Sequence, residues 1–452
     1  MNAPRDIATP PALMEAYFHD LAAILDRALV AGEAYMAWFS AEASDFVRMN
    51  RGKVRQPGAV VQHYLDVELI RGKRHASHRV SLAGRISEDR DALHAMVAAL
   101  RAIVADMDED PHLLIATEVV PTRSTRGAPL PPAEAVIDSV LGAASGLDLV
   151  GIYAGGPIYR GFANAFGQRN WHEATTFNLQ WSLYHRADKA VKSTLSGFAW
   201  DERALVAKMN DARGQLAHVA MPARTLGPGK YRAYLTPAAM EEIASLLCWG
   251  GFSARALETK QSSLSRMRDG ARLDQRVTIA EATAAGVAPA FQGEGFVRPQ
   301  RVALIESGEL VGSLVSPRTA REFSLAANGA NGGEGPEALA LDGGTLDARD
   351  ALAALETGLF VGNLHYLNYS DRPACRMTGM TRFATFWVEK GKIAAPINVL
   401  RFDDTIYRIL GSNLEALTKE TELILESGTY CERALASMRL PGALVSELEF
   451  TL

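Results

Sequence analysis

TFWVEKGKIAAPI (385–397) sets two apolar runs on either side of a Lys-Gly pair, and its reading decides the fold class. Apolar run, turn dipeptide, apolar run is the pattern of a tight β-hairpin. RVALIESGELVGSLV (301–315) repeats it, with Ser-Gly at the turn. From about residue 275 to the C-terminus, short strands and turns of this kind are expected throughout. One helix over 348–357 interrupts them, as does a Gly-rich stretch, ANGANGGEGPEALALDGG (327–344), which reads as a mobile loop. The second half of the chain is therefore expected to be β-rich.

Just upstream, a strand ending at Tyr234 or Leu235 leads into Thr236-Pro237. A Thr N-cap followed by Pro at the first helical position starts a helix with little strain. Met240, Ile243, Leu246 and Leu247 would form its apolar face, and Gly250-Gly251 would end it. MPARTLGPGKY around 222–230 reads as the boundary between two domains, 1–225 and 226–452. The N-terminal one begins with a loose segment over 1–10. A helix follows, with Leu13, Met14, Tyr17, Phe18, Leu21, Ile24, Leu25 and Leu29 on one face. Turns lie at 49–58 and 71–78, and between them Leu65, Val67 and Leu69 alternate with polar residues as in a half-buried strand. A helix over 88–106, a long crossing loop over 109–132, a helix over 132–144 and a strand over 147–153 come next. Phe177, Leu179, Trp181 and Leu183 then share one face of a strand over 171–185, and a helix over 201–216 closes this half. The expected class is α+β: an N-terminal α/β domain with an antiparallel sheet and long helices, then a β-rich, barrel-like C-terminal domain.

Composition narrows the function. A formal net charge of −5, spread without long blocks, speaks against a nucleic-acid footprint. No apolar run approaches the length of a membrane span, and MNAPRDIATPP lacks the apolar core of a signal peptide. Three cysteines, Cys248, Cys375 and Cys431, lie far apart with no CxxC pair, which suits a reducing cytoplasm better than a disulfide framework.

Catalytic constellations are scarce. A hydrolytic zinc site needs several His or carboxylate ligands and an open position for water. No HExxH or HExxxH occurs, and no His stands between His218 and His365. His75 and His78 sit at a basic hairpin tip that reads as a solvated turn. His172 and His185 are an odd number of residues apart, so a regular strand points them to opposite faces. GxSxG is absent. Cys248, on the apolar helix, reads as a core thiol, whereas Cys375 in DRPACRMTG reads as exposed. Glu241 and Glu242 look like first-turn partners of the helix dipole rather than a catalytic pair.

Residues 293–321 (GEGFVRPQRVALIESGELVGSLVSPRTAR), together with 356–369 (ETGLFVGNLHYLNY) and 377–411 (MTGMTRFATFWVEKGKIAAPINVLRFDDTIYRILG), resemble the TldD/PmbA (TldE) family. The resemblance covers roughly 230–440. It implies a zinc metallopeptidase fold in which a TldD-type chain pairs with a PmbA/TldE-type chain and cleaves peptides or unfolded segments. The zinc helix of TldD-type members carries HExxxH, with a Cys near the C-terminus as a further ligand. Here the corresponding helix has no His, and Cys431 stands as a possible remnant of the ligand position. The resemblance therefore points to the PmbA/TldE side. That implies no catalytic residue and no metal in this chain, zinc in a TldD-type partner, and a cytoplasmic heterodimer or larger complex. A fold without its metal can still offer strand edges to an extended peptide. Such a peptide groove is expected near Gly250, Gly251, the 327–344 loop, Gly379 and Arg382. Two other readings stay open: a stand-alone homodimeric peptide-binding or scaffold protein without peptidase activity, and a metal-independent hydrolase using Ser, Thr or Cys375.

Overall fold

The structure, a computed structural model, describes residues 13–186 and 189–451 of the chain. The expected loose segment over 1–10 lies outside the described residues. The first half runs α1 (Met14–Ala28), β1 (Glu33–Asn50), β2 (Lys53–Arg71), β3 (Arg74–Ser81), α2 (Ile86–Asp106), β4 (Thr122–Arg126), α3 (Ala133–Ala143), β5 (Asp148–Asn164), β6 (Arg169–Arg186), β7 (Lys189–Gly197) and α4 (Glu202–Val219). Its strands form one seven-stranded sheet in the order β3-β2-β1-β5-β6-β4, with β7 also on β6. All its pairings are antiparallel except β4, which runs parallel to β6. Residues 109–132, expected to be a crossing loop, thus contain an edge strand: Thr122–Arg126 completes the ladder along Asn170–Ala174. The strand expected over 147–153 extends to Asn164.

Alternation gives this sheet two distinct faces. Tyr35, Ala37, Phe39 and Ala41 of β1, Leu65, Val67 and Leu69 of β2, and Trp171 of β6 pack under α1 and α2. The α1 face was legible: Tyr17, Phe18, Leu21, Ile24 and Leu25 are all buried, while Leu13 at its edge is exposed. Further along the same face, Val47, Met49, Tyr153, Phe177, Leu179, Trp181 and Leu183 pack under α3 and α4. At roughly 1.5–3 kcal/mol per large apolar side chain removed from water, these helices are held by their buried stripes. The opposite face carries the even-numbered residues of β1, β5 and β6, and the second half of the chain lies against it.

The second half runs β8 (Gly229–Leu235), α5 (Pro237–Cys248), α6 (Ala254–Glu258), α7 (Ser265–Arg268), β9 (Ile279–Glu281), β10 (Val302–Glu306), β11 (Glu309–Leu310), α8 (Pro317–Phe323), β12 (Ala338–Leu341), α9 (Ala351–Leu355), β13 (Gly358–Asp371), β14 (Arg376–Glu389), β15 (Lys392–Pro396), β16 (Arg401–Thr405), β17 (Leu414–Leu425) and β18 (Ser437–Phe450). The hairpin of the opening stretch forms as expected, with Lys390 and Gly391 both at positive φ (51° and 74°) in the turn between β14 and β15. Strands β8, β13, β14, β16 and β18 pair in a closed circuit, so the sheet is barrel-like as expected. Its strands are longer than the short ones expected, with β13, β14 and β18 at 14 residues each. Within the Gly-rich stretch, read as loop throughout, Ala338–Leu341 is a fully buried strand between β9 and β18. An all-apolar run buried on both faces carries no alternation to reveal it.

Helix α5 is the centre of this half. Thr236 caps it by accepting from the Ala239 N–H at 3.3 Å, and Pro237 opens its first turn. Met240, Ile243, Leu246 and Leu247 pack against residues of all five circuit strands, among them Leu235, Leu359, Met377, Phe402 and Val445. Gly250, at φ +79°, follows its end.

Candidate functional site

The second half covers only part of the even face of the first sheet. Leu113, Ile115 and Phe291 close one end by packing on Met36 and Phe162. In the middle, Val287 and Leu425 bury themselves against Ala174. Asn178 donates to the Leu425 carbonyl at 3.1 Å, and Ser196 to the Leu423 carbonyl at 3.0 Å. His172 is used here too: Nε2 bonds the Val287 carbonyl and Nδ1 meets Ser124 Oγ, each at 2.8 Å. Burial holds this imidazole down to about 4, so it is a neutral structural link.

Arg433 is the deepest anchor. It is 5% exposed and donates to Thr176 Oγ1 (2.7 Å), the Thr176 carbonyl (2.9 Å), the Gly156 carbonyl (3.0 Å) and Ser44 Oγ (3.4 Å). Burial lowers its affinity for a proton to about 10, and the charge of Glu42 opposes that shift. Beside it Glu432 pairs with the buried Arg160 at 3.0 Å and with Arg79 at 3.4 Å. These contacts fix the segment 426–436 on the sheet. They hold Tyr430, 94% exposed, and Cys431 at its outer rim. Gln62 Nε2 donates to the Cys431 carbonyl at 2.7 Å.

Beyond this segment the sheet face is open. Two adjoining cavities of about 410 and 340 Å³ share Arg48 and Ile152. The first is floored by Arg48, Asn50, Val150, Gln180, Ser182 and Lys192, and the second by Phe46, Gln56, Val60, Gln62 and Cys431. Lys192 also lines a third cavity, of about 380 Å³, with Thr236, Pro237 and Asn363 at the start of α5 and in β13. Lys192 thus borders both the open sheet face and the cavity at the start of α5.

In the field of Lys192, α5 carries two acidic side chains. Glu241 and Glu242 lie in the second turn of the helix, and its first turn holds no acid, so the expected dipole partnership does not form. Burial, and then the neighbouring Glu242 carboxylate, push Glu241 up to about 7, while Lys192 opposes the shift. Glu242 is raised in the same direction by burial. Glu426 adds a further negative field at Glu241. His365 of β13 is held below the usual imidazole range by burial and by the charges of Arg382 and Lys192. Next to it Tyr366 is 81% exposed at φ +59°, within a β-bulge. Bulges of this kind re-aim side chains at functional rims.

The expected groove residues do not come together. Arg382 lines a separate cavity of about 300 Å³ with Lys189, Val219, Met380 and Phe383. Gly250 lies under Arg372, and a Cβ on Gly251 would stand 2.4 Å from the Leu247 carbonyl. Gly379 fills a packing position between Leu367 and Phe402. Cys375, expected to be exposed, is fully buried, and burial pushes its thiol up to about 12. The polar letters around it face outward while its own side chain turns into the barrel core. Arg48, Arg55 and Lys192 escaped the sequence reading altogether. Only the alternation Val47-Arg48-Met49-Asn50 hinted at a strand with a polar outer face.

These donors do not suit zinc. Among the described residues, no three His, Cys, Asp or Glu side chains are grouped so as to hold a metal ion. Helix α5 offers Met240 and Ala244 beside its two glutamates, and Cys431 lines a cavity that neither glutamate reaches. No helix among the described residues is long and apolar enough to cross a membrane.

Three solved structures share the fold over nearly the whole chain. TldE from Thermococcus kodakarensis superimposes with a TM-score of 0.76 at 12% identity, covering 96% of this chain and 100% of that one. A proposed modulator of DNA gyrase from Thermotoga maritima gives 0.72 at 12% identity, over 97% and 100%. A second proposed gyrase modulator, from Bacteroides thetaiotaomicron, gives 0.72 at 14% identity, over 98% and 99%. No curated protein sequence gives a significant match. Residues 228–452, the barrel half with α5, match the family model described as the PmbA/TldA metallopeptidase C-terminal domain. The chain belongs to the TldD/PmbA family.

Proposed function

We propose that this chain is a metal-free, TldE-like subunit of a two-component metallopeptidase. It would bind peptide or unfolded segments in the cavities along the first sheet and at the start of α5, while a TldD-type partner supplies the zinc and the cleavage. In this reading the chain has two domains meeting near residue 225 and works in a reducing, cytoplasmic compartment. The observation that carries it is the mismatch on α5. The helix has its cap, its packing in the barrel and a start that borders a cavity, yet its potential ligands are Glu241 and Glu242 and it holds no histidine, where a zinc helix needs imidazoles. A cleft without a metal can hold a chain through strand-like hydrogen bonding and side-chain pockets, which need no catalytic group. The likeness in fold to TldE of Thermococcus kodakarensis supports the same side of the family. A thiol hydrolase is disfavoured, because Cys375 is buried with its thiol held protonated.

Co-expression with a TldD-type chain from the same genome tests the proposal. The two chains should co-purify, and peptide cleavage should appear only in the mixture. A stable homodimer that ignores the TldD-type chain would favour the stand-alone scaffold instead. Cleavage by this chain alone would contradict both.

A further inference from the structure

The open end of the first sheet is positively charged in a particular geometry. Arg48 of β1, Arg55 of β2 and Lys192 of β7 all line the 410 Å³ cavity, and no acidic side chain lines it with them. Among the described residues Arg48 and Arg55 make no side-chain hydrogen bond or ion pair, and Lys192, which lies in the field of Glu241 and Glu242, makes no direct ion pair with either. Arg55 reaches the cavity because of a β-bulge. The β1–β2 register passes from Arg48↔Gln56 to Met49↔Val54, leaving Arg55 as the extra residue. Asn50, Gln180 and Ser182 lie between the cations and can donate hydrogen bonds. Exposed cations on a sheet face usually sit beside carboxylates, and three together with donors between them form a receptor for anions.

The spacing of the charges points to the ligand. Arg48 stands beside Ile152, Ile152 beside Gln180, and Ser182 beside Lys192, so Arg48 and Lys192 are three strands apart. At about 4.8 Å per strand, with an offset of two residues, that is roughly 14–16 Å. An extended peptide rises about 3.4 Å per residue, so carboxylates at positions i and i+4 span nearly the same distance on one face. Val150 and Ile152 give apolar floor for the side chains between them. A nucleic-acid backbone fits less well. The exposed floor is Val150 and Ile152, and the aromatic ring lining the cavity, Trp181, is buried, so no exposed ring is offered to stack a base.

We propose that this open sheet face selects an extended acidic peptide, with one carboxylate on the Arg48–Arg55 pair and a second, about four residues along, on Lys192. This rests on the peptide-binding reading above and adds a substrate class to it. The full-length chain would be titrated into labelled twelve-residue peptides and followed by fluorescence anisotropy. The peptides carry Glu, Gln or Lys at positions i and i+4 on an otherwise identical Ser/Thr/Ala background. The Glu peptide should bind about tenfold tighter than the Gln peptide at 50 mM salt, and the margin should shrink at 500 mM salt. The Arg48→Gln/Arg55→Gln double variant and Lys192→Gln, each with an unchanged circular dichroism spectrum, should each lose a factor of about 3–10 for the Glu peptide only. Equal binding of Glu and Gln peptides would overturn the charge assignment and leave the peptide-binding reading standing. No binding of any peptide would overturn both. Tighter binding of a twelve-nucleotide single-stranded DNA than of the Glu peptide would overturn the peptide as occupant.

Discussion

Replacing Glu241 by Gln should stabilise the protein above neutral pH and leave it nearly unchanged in acid. The Glu241 carboxyl is held at about 7, against 4.5 for a free glutamate, chiefly by burial and then by Glu242. The gap of about 2.5 units corresponds to an upper limit of roughly 3.4 kcal/mol, at 1.36 kcal/mol per unit. Because the side chain is partly open to water, screening reduces that to about 1–2 kcal/mol. Between pH 4.5 and about 7 the folded state holds this proton more tightly than the unfolded chain does. Stability therefore falls as pH rises through that window, and the penalty is complete above it. Gln carries no charge and removes this contribution. Urea unfolding of both proteins at pH 5, 6, 7 and 8 measures the difference. Glu241→Gln should match the wild type near pH 5 and exceed it by about 1–2 kcal/mol at pH 8. A pH-independent difference, or a variant less stable at pH 8, would show that α5 does not hold a desolvated carboxyl.

Three further outcomes follow from the packing. Arg433→Met strips the bonds to Ser44, Gly156 and Thr176, leaves those buried acceptors unsatisfied and should cost about 1–3 kcal/mol in urea unfolding. Limited proteolysis should then cut within 426–436, where the wild type resists. Gly379→Ala places a Cβ 2.6 Å from Leu367 Cδ1 and 2.9 Å from Phe402 Cε1, so it should destabilise by about 1–3 kcal/mol. It should also leave peptide affinity intact, which a groove residue would not. In the native protein a thiol reagent should label Cys431 rapidly and the half-buried Cys248 more slowly, because burial raises its thiol to about 12, while the fully buried Cys375 should react only after unfolding.

Much of this architecture was readable before any coordinates. Helix α5 announced itself through Thr236-Pro237 and an apolar stripe at helical spacing, and both hairpin turns were marked by their glycines. These are local signals, and local chemistry enforces them. What escaped was decided by tertiary context. Strand β12 is too short and too uniformly apolar to alternate. Strand β1 mixes small and polar residues because both of its faces are covered along much of its length. Cys375 looked exposed among Asp, Arg and Thr, yet only the circuit of β13, β14 and β16 determines which way it turns. The same limit applied to the site. Arg48, Arg55 and Lys192 lie up to 144 residues apart in sequence (192 − 48), and only the β1-β5-β6-β7 order brings them to one cavity. The residues expected to form the groove, Gly250, Gly251, Gly379 and Arg382, carry turn and charge signals on two separate segments, and such local signals do not report which segments the fold brings together. The open cavities lie along β1, β2, β5, β6 and β7 of the first sheet and, separately, at the start of α5.

Zinc content tests the central claim most directly. The full-length chain, expressed in zinc-supplemented medium and dialysed against a weak chelator, would be measured by elemental mass spectrometry, alone and after co-purification with a TldD-type partner. Without the partner the account predicts well under 0.1 zinc per chain, because α5 and the Cys431 rim do not bring ligands together. In the complex it predicts about one zinc per TldD-type chain. One tightly held zinc per copy of this chain alone would contradict it.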